Sequence, residues 1–300
     1  MIRLGFFLCI FTLMIISCSP PITGRLTSDE SKTDFNFDWR FTLVDDSSST
    51  LESNPNFDDL AWRKLDLPHD WSIEGSYDST YNGATGYLPG GTGWYRKTFN
   101  LKALDHENTY ILFDGVYNNS ELWLNGKYLG QHPYGYSPFY FDVSNYLNAD
   151  GRNNVLAVKV DRTRYIDSRW YTGSGIYRNV KLISQNKLHI TVWGSFLTTP
   201  EISKEKALVN LELRVLNNHK EGRDFRLETK IYDGSELVAI VTNQGSIAAE
   251  NEKTFNQTLT ITSPKLWDLH NPHLYTAETT IIQDGRKLDE YKTPFGIRSL

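Results

Sequence analysis

The 300-residue sequence has two cysteines, Cys9 and Cys18, and none after residue 18. Its body therefore has no thiol for a disulfide, a cysteine-ligated zinc or a cysteine nucleophile. Basic charge is also in short supply. Lys and Arg number 31 against 36 Asp and Glu, a formal net charge of -5, with no Lys/Arg cluster. Nucleic acid, which calls for a basic stripe, is excluded as a partner. No long apolar run follows residue 16, whereas a bilayer-spanning helix needs about 20 such residues. Helical stripes are scarce too: none exceeds two turns, and Asn56 to Trp62 and Ser144 to Leu147 are the expected short helices. What the sequence does have is aromatic surface, with 8 Trp, 17 Tyr and 15 Phe. Such side chains serve all-β cores and sites that stack against rings.

The first segment reads as an address. Arg3 precedes an apolar run from Leu4 to Ile16, too short to span a bilayer and suited to a signal-peptide core. It ends Ile15-Ile16-Ser17-Cys18, which resembles a bacterial lipobox; that resemblance implies cleavage before Cys18 and lipidation of its thiol. Residues 1–17 are thus expected to be a lipoprotein signal peptide. Residues 18–33, rich in Ser, Thr and Pro, are expected to be a tether. The product would be an exported bacterial lipoprotein, touching a membrane only through its lipid.

The rest reads as strands. Val209, Leu211, Leu213 and Val215 alternate with Asn210, Glu212 and Arg214, the period of a half-buried strand. Phe225, Leu227, Thr229 and Ile231 repeat the pattern, as do Phe255 to Ile261 and Tyr275 to Ile281. Asn125-Gly126, Asp233-Gly234 and Asp284-Gly285 are expected hairpin turns, because both residues of such pairs tolerate positive φ. Up to about residue 185 the strands are separated by long loops, Ser76 to Gly93 and Thr163 to Gly175; loops of that length are usually functional. From about residue 186 they come regularly with short turns, which suits an immunoglobulin-like sandwich. The expected organisation is an all-β chain with one domain over 34–185 and a second over 186–300.

Three runs in the first domain carry candidate chemistry. Asp66-Leu67-Pro68-His69-Asp70-Trp71 places an imidazole beside a carboxylate. Adjacent side chains point apart and no second His/Asp cluster completes a metal site, so a structural role outweighs an acid–base or metal role. Pro89-Gly90-Gly91-Thr92-Gly93-Trp94 joins a glycine loop to a strand. Glycine lets backbone approach a ligand closely, but a phosphate cradle would need a helix to follow. Ser168-Arg169-Trp170-Tyr171-Thr172-Gly173-Ser174-Gly175 offers an indole, a guanidinium and hydroxyls on one loop. A pyranose, with CH faces and OH edges, demands that combination. For Trp170 alone, closure of the end of the core is an equal reading.

In order along the chain, these runs join Asp114-Gly115-Val116-Tyr117 and Glu121-Leu122-Trp123-Leu124-Asn125-Gly126. Together they resemble the amino-terminal jelly-roll, a galactose-binding-domain-like sandwich, of family 2 glycoside hydrolases, most of all bacterial β-galactosidases of the Bacteroidetes type. Ser263-Pro264-Lys265-Leu266-Trp267, Asn271-Pro272-His273-Leu274-Tyr275 and Phe295-Gly296-Ile297-Arg298 resemble the immunoglobulin-like domain that follows in that family.

The resemblance implies that catalysis belongs to a downstream (β/α)₈ barrel carrying two glutamates, absent up to Leu300. Retaining hydrolysis needs two carboxyl groups about 5–5.5 Å apart. Asn251-Glu252 matches the acid/base dipeptide only superficially and reads as a solvated turn; no catalytic residue is assigned. Family loops reach over the barrel mouth, which makes Gly90, Gly91, Asp167, Ser168, Arg169 and Trp170 the candidate substrate-binding residues. Enteric relatives offer an Asn where Gly90 stands, a departure that touches individual contacts. No cofactor is expected and no metal ligands are assigned. The implied function is the non-catalytic portion of an exo-acting retaining β-glycosidase, with a β-linked galactoside or related glycan and the catalytic barrel as partners. A free-standing glycan-binding surface lipoprotein is the rival reading, and a purely adhesive β-protein a third.

Overall fold

The computed structural model describes residues 32–101, 107–148, 152–163 and 170–298. The leader, Cys18 and most of the expected tether lie outside the described residues, as do Asp167, Ser168 and Arg169. Lys32 and Thr33, assigned to the tether by composition, already pair with Ile183 and Leu182 in a strand.

Ten strands build the first domain: β1 (Lys32–Asp34), β2 (Trp39–Val44), β3 (Arg63–Leu65), β4 (Gly91–Asn100), β5 (Glu107–Phe113), β6 (Ser120–Leu124), β7 (Lys127–His132), β8 (Phe139–Asp142), β9 (Asn153–Arg162) and β10 (Val180–Asn186). They form a jelly-roll of two antiparallel sheets, β1-β10-β5-β8 and β3-β2-β4-β9-β6-β7. The inner faces bury Trp39, Phe41, Tyr95, Phe113, Leu122 and Val158 together. The six-stranded sheet buries part of its outer face as well, where Trp94, Trp123 and Ala157 pack with Val44 and Trp62. Residues 45–62 cover that face. Their backbone is pinned by Arg96, whose guanidinium donates to the carbonyls of Glu52 and Asn54 and to the Asp59 carboxylate. A sheet covered on both sides absorbs much of the aromatic surplus.

The expected helices do not form. The described helical turns are 3₁₀ turns at Leu51–Ser53, Ser72–Glu74 and Gly83–Thr85. Between 54 and 60, Asn54 and Asp58 accept the N–H of Asn56 and Leu60, and Arg40 takes the carbonyls of Asp59 and Leu60. These side chains take the backbone groups that a helix would use.

The second domain comprises β11 (Leu188–Ile202), β12 (Lys206–Asn217), β13 (Arg223–Asp233), β14 (Glu236–Ile247), β15 (Asn251–Thr262), β16 (Tyr275–Gln283) and β17 (Arg286–Phe295). Its sheets, β11-β12-β15 and β14-β13-β16-β17, close an immunoglobulin-like sandwich. The period-two set Val209, Leu211, Leu213 and Val215 is core, with Phe225, Leu227 and Ile231 opposite. Thr229 continues that inward row and is fully buried. Its hydroxyl donates to Gln257 Oε1, so Thr279, 2.8 Å away, must donate to Thr229.

Asn125-Gly126 and Asp284-Gly285 take positive φ as their sequence demands. The third turn is displaced by one residue. Asp233 pairs with Glu236, leaving Gly234 and Ser235 as the turn, while the Asp233 carboxylate holds Lys265 at 2.8 Å and His273 at 3.0 Å. Asn251-Glu252 is not a turn but the start of β15, paired with Asn217 and Leu216.

The two domains meet where β10 gives way to β11. His189, fully buried, receives the Asn108 amide at Nδ1, so its Nε2 carries the proton toward the Tyr110 hydroxyl at 3.1 Å. Asp289 accepts the Ile190 N–H at 2.8 Å, and Gln185 of β10 donates to the Ile190 carbonyl at 3.0 Å. Trp193, on a bulge with φ 56°, stands edge-on to Tyr140 of β8 at 5.2 Å. No helix among the described residues is long and apolar enough to cross a membrane.

Candidate functional site

Three segments, 67–75, 85–93 and 170–176, gather at one end of the jelly-roll. His69 is the inner member of its run. Its N–H donates to the Ile176 carbonyl at 2.9 Å, its Nδ1 lies 2.7 Å from the Tyr95 hydroxyl, and its ring packs on Phe41 at 4.6 Å. Burial holds its imidazole below the ordinary histidine range, against the pull of Glu74. A neutral, buried ring bonded to a tyrosine is a core histidine. Among the described residues, no group of three His, Cys, Asp or Glu side chains is placed to hold a metal.

Asp70 points the other way, into the loops. Its Oδ1 accepts the N–H groups of Ser72 and Ser174, both at 3.0 Å, and its Oδ2 accepts the Tyr171 hydroxyl. That bond and burial push the Tyr171 phenol far up, burial contributing most, so it stays a donor. Ser72 Oγ lies 2.5 Å from both the Pro89 carbonyl and Ser174 Oγ. With one hydroxyl hydrogen each, the two serines form a chain in which only one end can point at Pro89. Trp71 completes the knot: its N–H donates to the Ser174 carbonyl and its indole donates to the Gly90 carbonyl, both at 3.1 Å.

Glycine is obligatory at one of these junctions. Gly175 has φ 123°, and a Cβ there would sit 2.3 Å from the Tyr95 hydroxyl and 2.7 Å from the His69 carbonyl. It also exchanges backbone hydrogen bonds with Tyr117 at 2.9 and 2.8 Å. Arg162, fully buried, lies over the Tyr117 ring at 5.3 Å and donates to Thr172 at 3.2 Å.

Gly90, Tyr171, Thr172, Gly173 and Ser174 line one seam, which has no room for a sugar. The expected glycine loop ends at Gly90. Gly91, Thr92 and Gly93 already belong to β4, paired with Arg162, Asp161 and Val160. The structure thus brings Gly90 to the 170–174 loop. Trp170 does not close the core: it is 63 % exposed, with its indole 3.4 Å from the Tyr136 hydroxyl. Tyr136 in turn stands edge-on to Tyr117 at 5.3 Å and to Tyr134 at 5.9 Å. Sequence reasoning did not single out Tyr134, Tyr136, Ser72 or Arg162. The Asx turn from Asp70 to Ser72 was legible as a local pattern; the bond to Ser174 was not.

The carboxylates here are fully engaged. Asp70 is held by two backbone N–H groups and a tyrosine, and Glu74 by Arg63 at 2.6 and 2.7 Å, which keeps it below the usual carboxylate range. A carboxyl held low in that way is unlike a general acid, whose pKa is raised. The arrangement presents rings and polar groups.

Comparison with known proteins agrees. The description "Glycosyl hydrolases family 2, sugar binding domain" matches residues 33–186, and "Glycosyl hydrolases family 2" matches residues 188–298. A β-galactosidase of Bacteroides ovatus is 41% identical over 281 residues, covering 92% of this chain and 32% of that protein. A putative β-glucuronidase of Formosa agariphila is 38% identical, over 96% of this chain and 27% of its own length. A solved family 2 glycosyl hydrolase of Bacteroides cellulosilyticus superposes with a TM-score of 0.82 at 34% identity, covering 89% of this chain and 35% of that one. The chain spans about a third of the length of the relatives it matches. Sequence motifs, two β-sandwich cores and the matches over both converge: the chain belongs to glycoside hydrolase family 2, of which it carries the sugar-binding domain and the immunoglobulin-like domain after it.

Proposed function

We propose that this chain is the pocket-shaping amino-terminal portion of an exo-acting retaining β-glycosidase, β-galactosidase-like in specificity and anchored through lipid at Cys18. The bond-breaking carboxyl pair, about 5–5.5 Å apart, belongs to a barrel that this portion supports. One observation carries the reading: Asp70 and Trp71 fasten Gly90 to the 170–174 loop, which leaves the Trp170 indole exposed on a braced scaffold. An indole held in that way supplies the apolar face that a pyranose ring stacks on. The identity to a β-galactosidase supports the galactoside, and the similarity to a putative β-glucuronidase supplies the competing sugar.

The test joins the chain to its downstream barrel and compares aryl β-galactoside with aryl β-glucuronide. Faster galactoside hydrolysis is expected. A folded enzyme that prefers the glucuronide, or cleaves neither, overturns the assignment. The exposure of Trp170, Tyr134 and Tyr136 also favours a second reading, a glycan-binding lipoprotein acting by itself. Calorimetric binding of a galactoside tighter than about 1 mM by the 300-residue chain favours that one.

A further inference from the structure

Tyr134 and Tyr136 stand beside Trp170 on the segment that links β7 to β8. Pro133-Tyr134-Gly135-Tyr136-Ser137-Pro138 contains no charged residue, and Tyr134 is 60 % and Tyr136 41 % exposed. A single exposed ring is ordinary at a protein surface; these are neighbours on a braced backbone. The Pro133 carbonyl accepts the Asn119 N–H at 3.2 Å, and the Gly135 carbonyl accepts the Tyr177 hydroxyl at 2.8 Å. Gly135 lies so close to the Tyr117 ring that a Cβ there would collide with it. The Ser137 hydroxyl lies 3.0 Å from His132 Nε2, and that imidazole stacks on Phe139 at 4.2 Å. Tyr117, buried beneath the segment, also exchanges backbone hydrogen bonds with Gly175. One residue thereby fixes this segment relative to the loop that presents Trp170. The Tyr134 and Tyr136 rings meet at 67°, and the Tyr136 hydroxyl lies 3.4 Å from the Trp170 indole nitrogen. Trp170, Tyr136 and Tyr134 form one continuous ledge with a polar atom on each ring.

We propose that Tyr134, with the Tyr136 hydroxyl at its edge, binds the leaving-group sugar of the substrate, the ring on the far side of the bond to be cleaved. The inference rests on the exo-glycosidase reading above and extends it: the substrate is a glycan of at least two rings rather than a simple glycoside. Rings that meet CH faces and hydroxyls that meet OH edges suit a pyranose, and the segment itself offers no charge to pair with an ionic ligand. Exo cleavage decides which pyranose this is. The terminal ring ends the pocket, where Trp170 supplies a wall, and the glycan continues in one direction only, through the scissile oxygen to the next ring. An aromatic surface that runs outward from Trp170 therefore meets the leaving group. Because the segment is braced before a ligand arrives, binding there orders little, and the stacking survives as affinity.

The test uses the full-length enzyme, this chain with its downstream barrel, and the terminal sugar that the enzyme cleaves. Two substrates are compared: the methyl β-glycoside of that sugar, which has no ring in its leaving group, and a β-linked trisaccharide that ends in it. Tyr134→Ala should lower kcat/KM for the trisaccharide about three- to tenfold more than for the methyl glycoside, the worth of one stacked ring. The loss should lie in KM rather than kcat, with the melting temperature unchanged. Tyr134→Phe keeps the ring and should return the trisaccharide to within about twofold of the parent. Equal losses on both substrates would mean that Tyr134 packs against the barrel or lines the terminal pocket, and would overturn the proposal. So would a variant that loses nothing on either substrate, or a Tyr134→Phe loss as large as that of Tyr134→Ala. Hydrolysis of the methyl glycoside by the parent reports on the exo-glycosidase reading separately. An active enzyme whose substrate ratio does not move overturns the leaving-group site alone, and one that cleaves no glycoside overturns both.

Discussion

The Asp70 carboxylate accepts the backbone N–H of Ser174 at 3.0 Å, joining two loops that lie 104 residues apart in sequence. The same oxygen holds Ser72, and the other oxygen holds Tyr171. One side chain thereby sets the path of the loop that presents Trp170.

Replacing that carboxylate should be costly for a residue at the domain surface. Asp70→Ala leaves the N–H groups of Ser72 and Ser174 without their acceptor, a loss of about 1–3 kcal/mol. Urea unfolding should report it, together with faster proteolysis in the 170–174 loop. A variant as stable as the parent would mean that water replaces the carboxylate.

Two glycines with similar backbone angles should respond differently to alanine. Gly91 has φ 113° with open space around a Cβ, whereas Gly175 has φ 123° with the Tyr95 hydroxyl and the His69 carbonyl in the way. Gly91→Ala should cost about 1–3 kcal/mol for backbone strain alone. Gly175→Ala adds the collision and should lower the melting temperature well beyond Gly91→Ala. Thermal unfolding of the pair checks this, and equal melting temperatures would contradict it.

Trp170 should separate stability from function. Its indole is exposed, so Trp170→Ala should move stability by no more than about 0.5 kcal/mol. In an enzyme assembled with its barrel, the same change should raise KM for an aryl galactoside about tenfold, the loss of one stacking contact. Unchanged kinetics would remove Trp170 from the pocket wall.

The domain junction predicts a pH dependence. Burial raises the Asp289 carboxyl from 3.8 to about 7, with Ile190, Glu290 and Gln185 opposing through hydrogen bonds and the Glu290 charge adding to the rise. Glu290, the next residue along β17, is itself held by Lys287 at 2.6 Å and Lys292 at 3.5 Å. The folded chain then binds a proton that the unfolded chain releases, so this group's contribution falls as pH rises from about 4 to about 7. His189 works in the opposite sense. Burial lowers it from 6.5 to about 4, so its contribution rises over much of the same window and masks the first. Asp289→Asn should unmask it. Between pH 4.5 and 7.5 the variant should gain about 3 kcal/mol of stability relative to the parent. Urea midpoints at the two pH values check the sign, and a pH-independent difference would rule out a protonated carboxyl at the joint.

Much of the fold was written in local pattern. Val209 to Val215 alternated because one face of β12 meets the sandwich core, and a period of two survives in any half-buried strand. Asn125-Gly126 marked its hairpin because few residue pairs tolerate two positive φ angles in succession. The cysteine count excluded disulfides, and the order of the Asp66–Trp71, Pro89–Trp94 and Ser168–Gly175 runs pointed to the family. Where side chains compete for the backbone, local reading failed. Asn54, Asp58, Arg40 and Arg96 took the groups of the 54–60 segment that a helix would have used. Asp233 stayed in its strand and moved a turn by one residue. The candidate site lay further out of reach still. That Asp70 meets Ser174, that Trp71 meets Gly90 and that Trp170 faces outward beside Tyr136 follow from long-range pairing of β4, β9 and β10. The sequence fixes which residues can bond; only the closed sandwich brings segments a hundred residues apart within 3 Å and so decides which of them do.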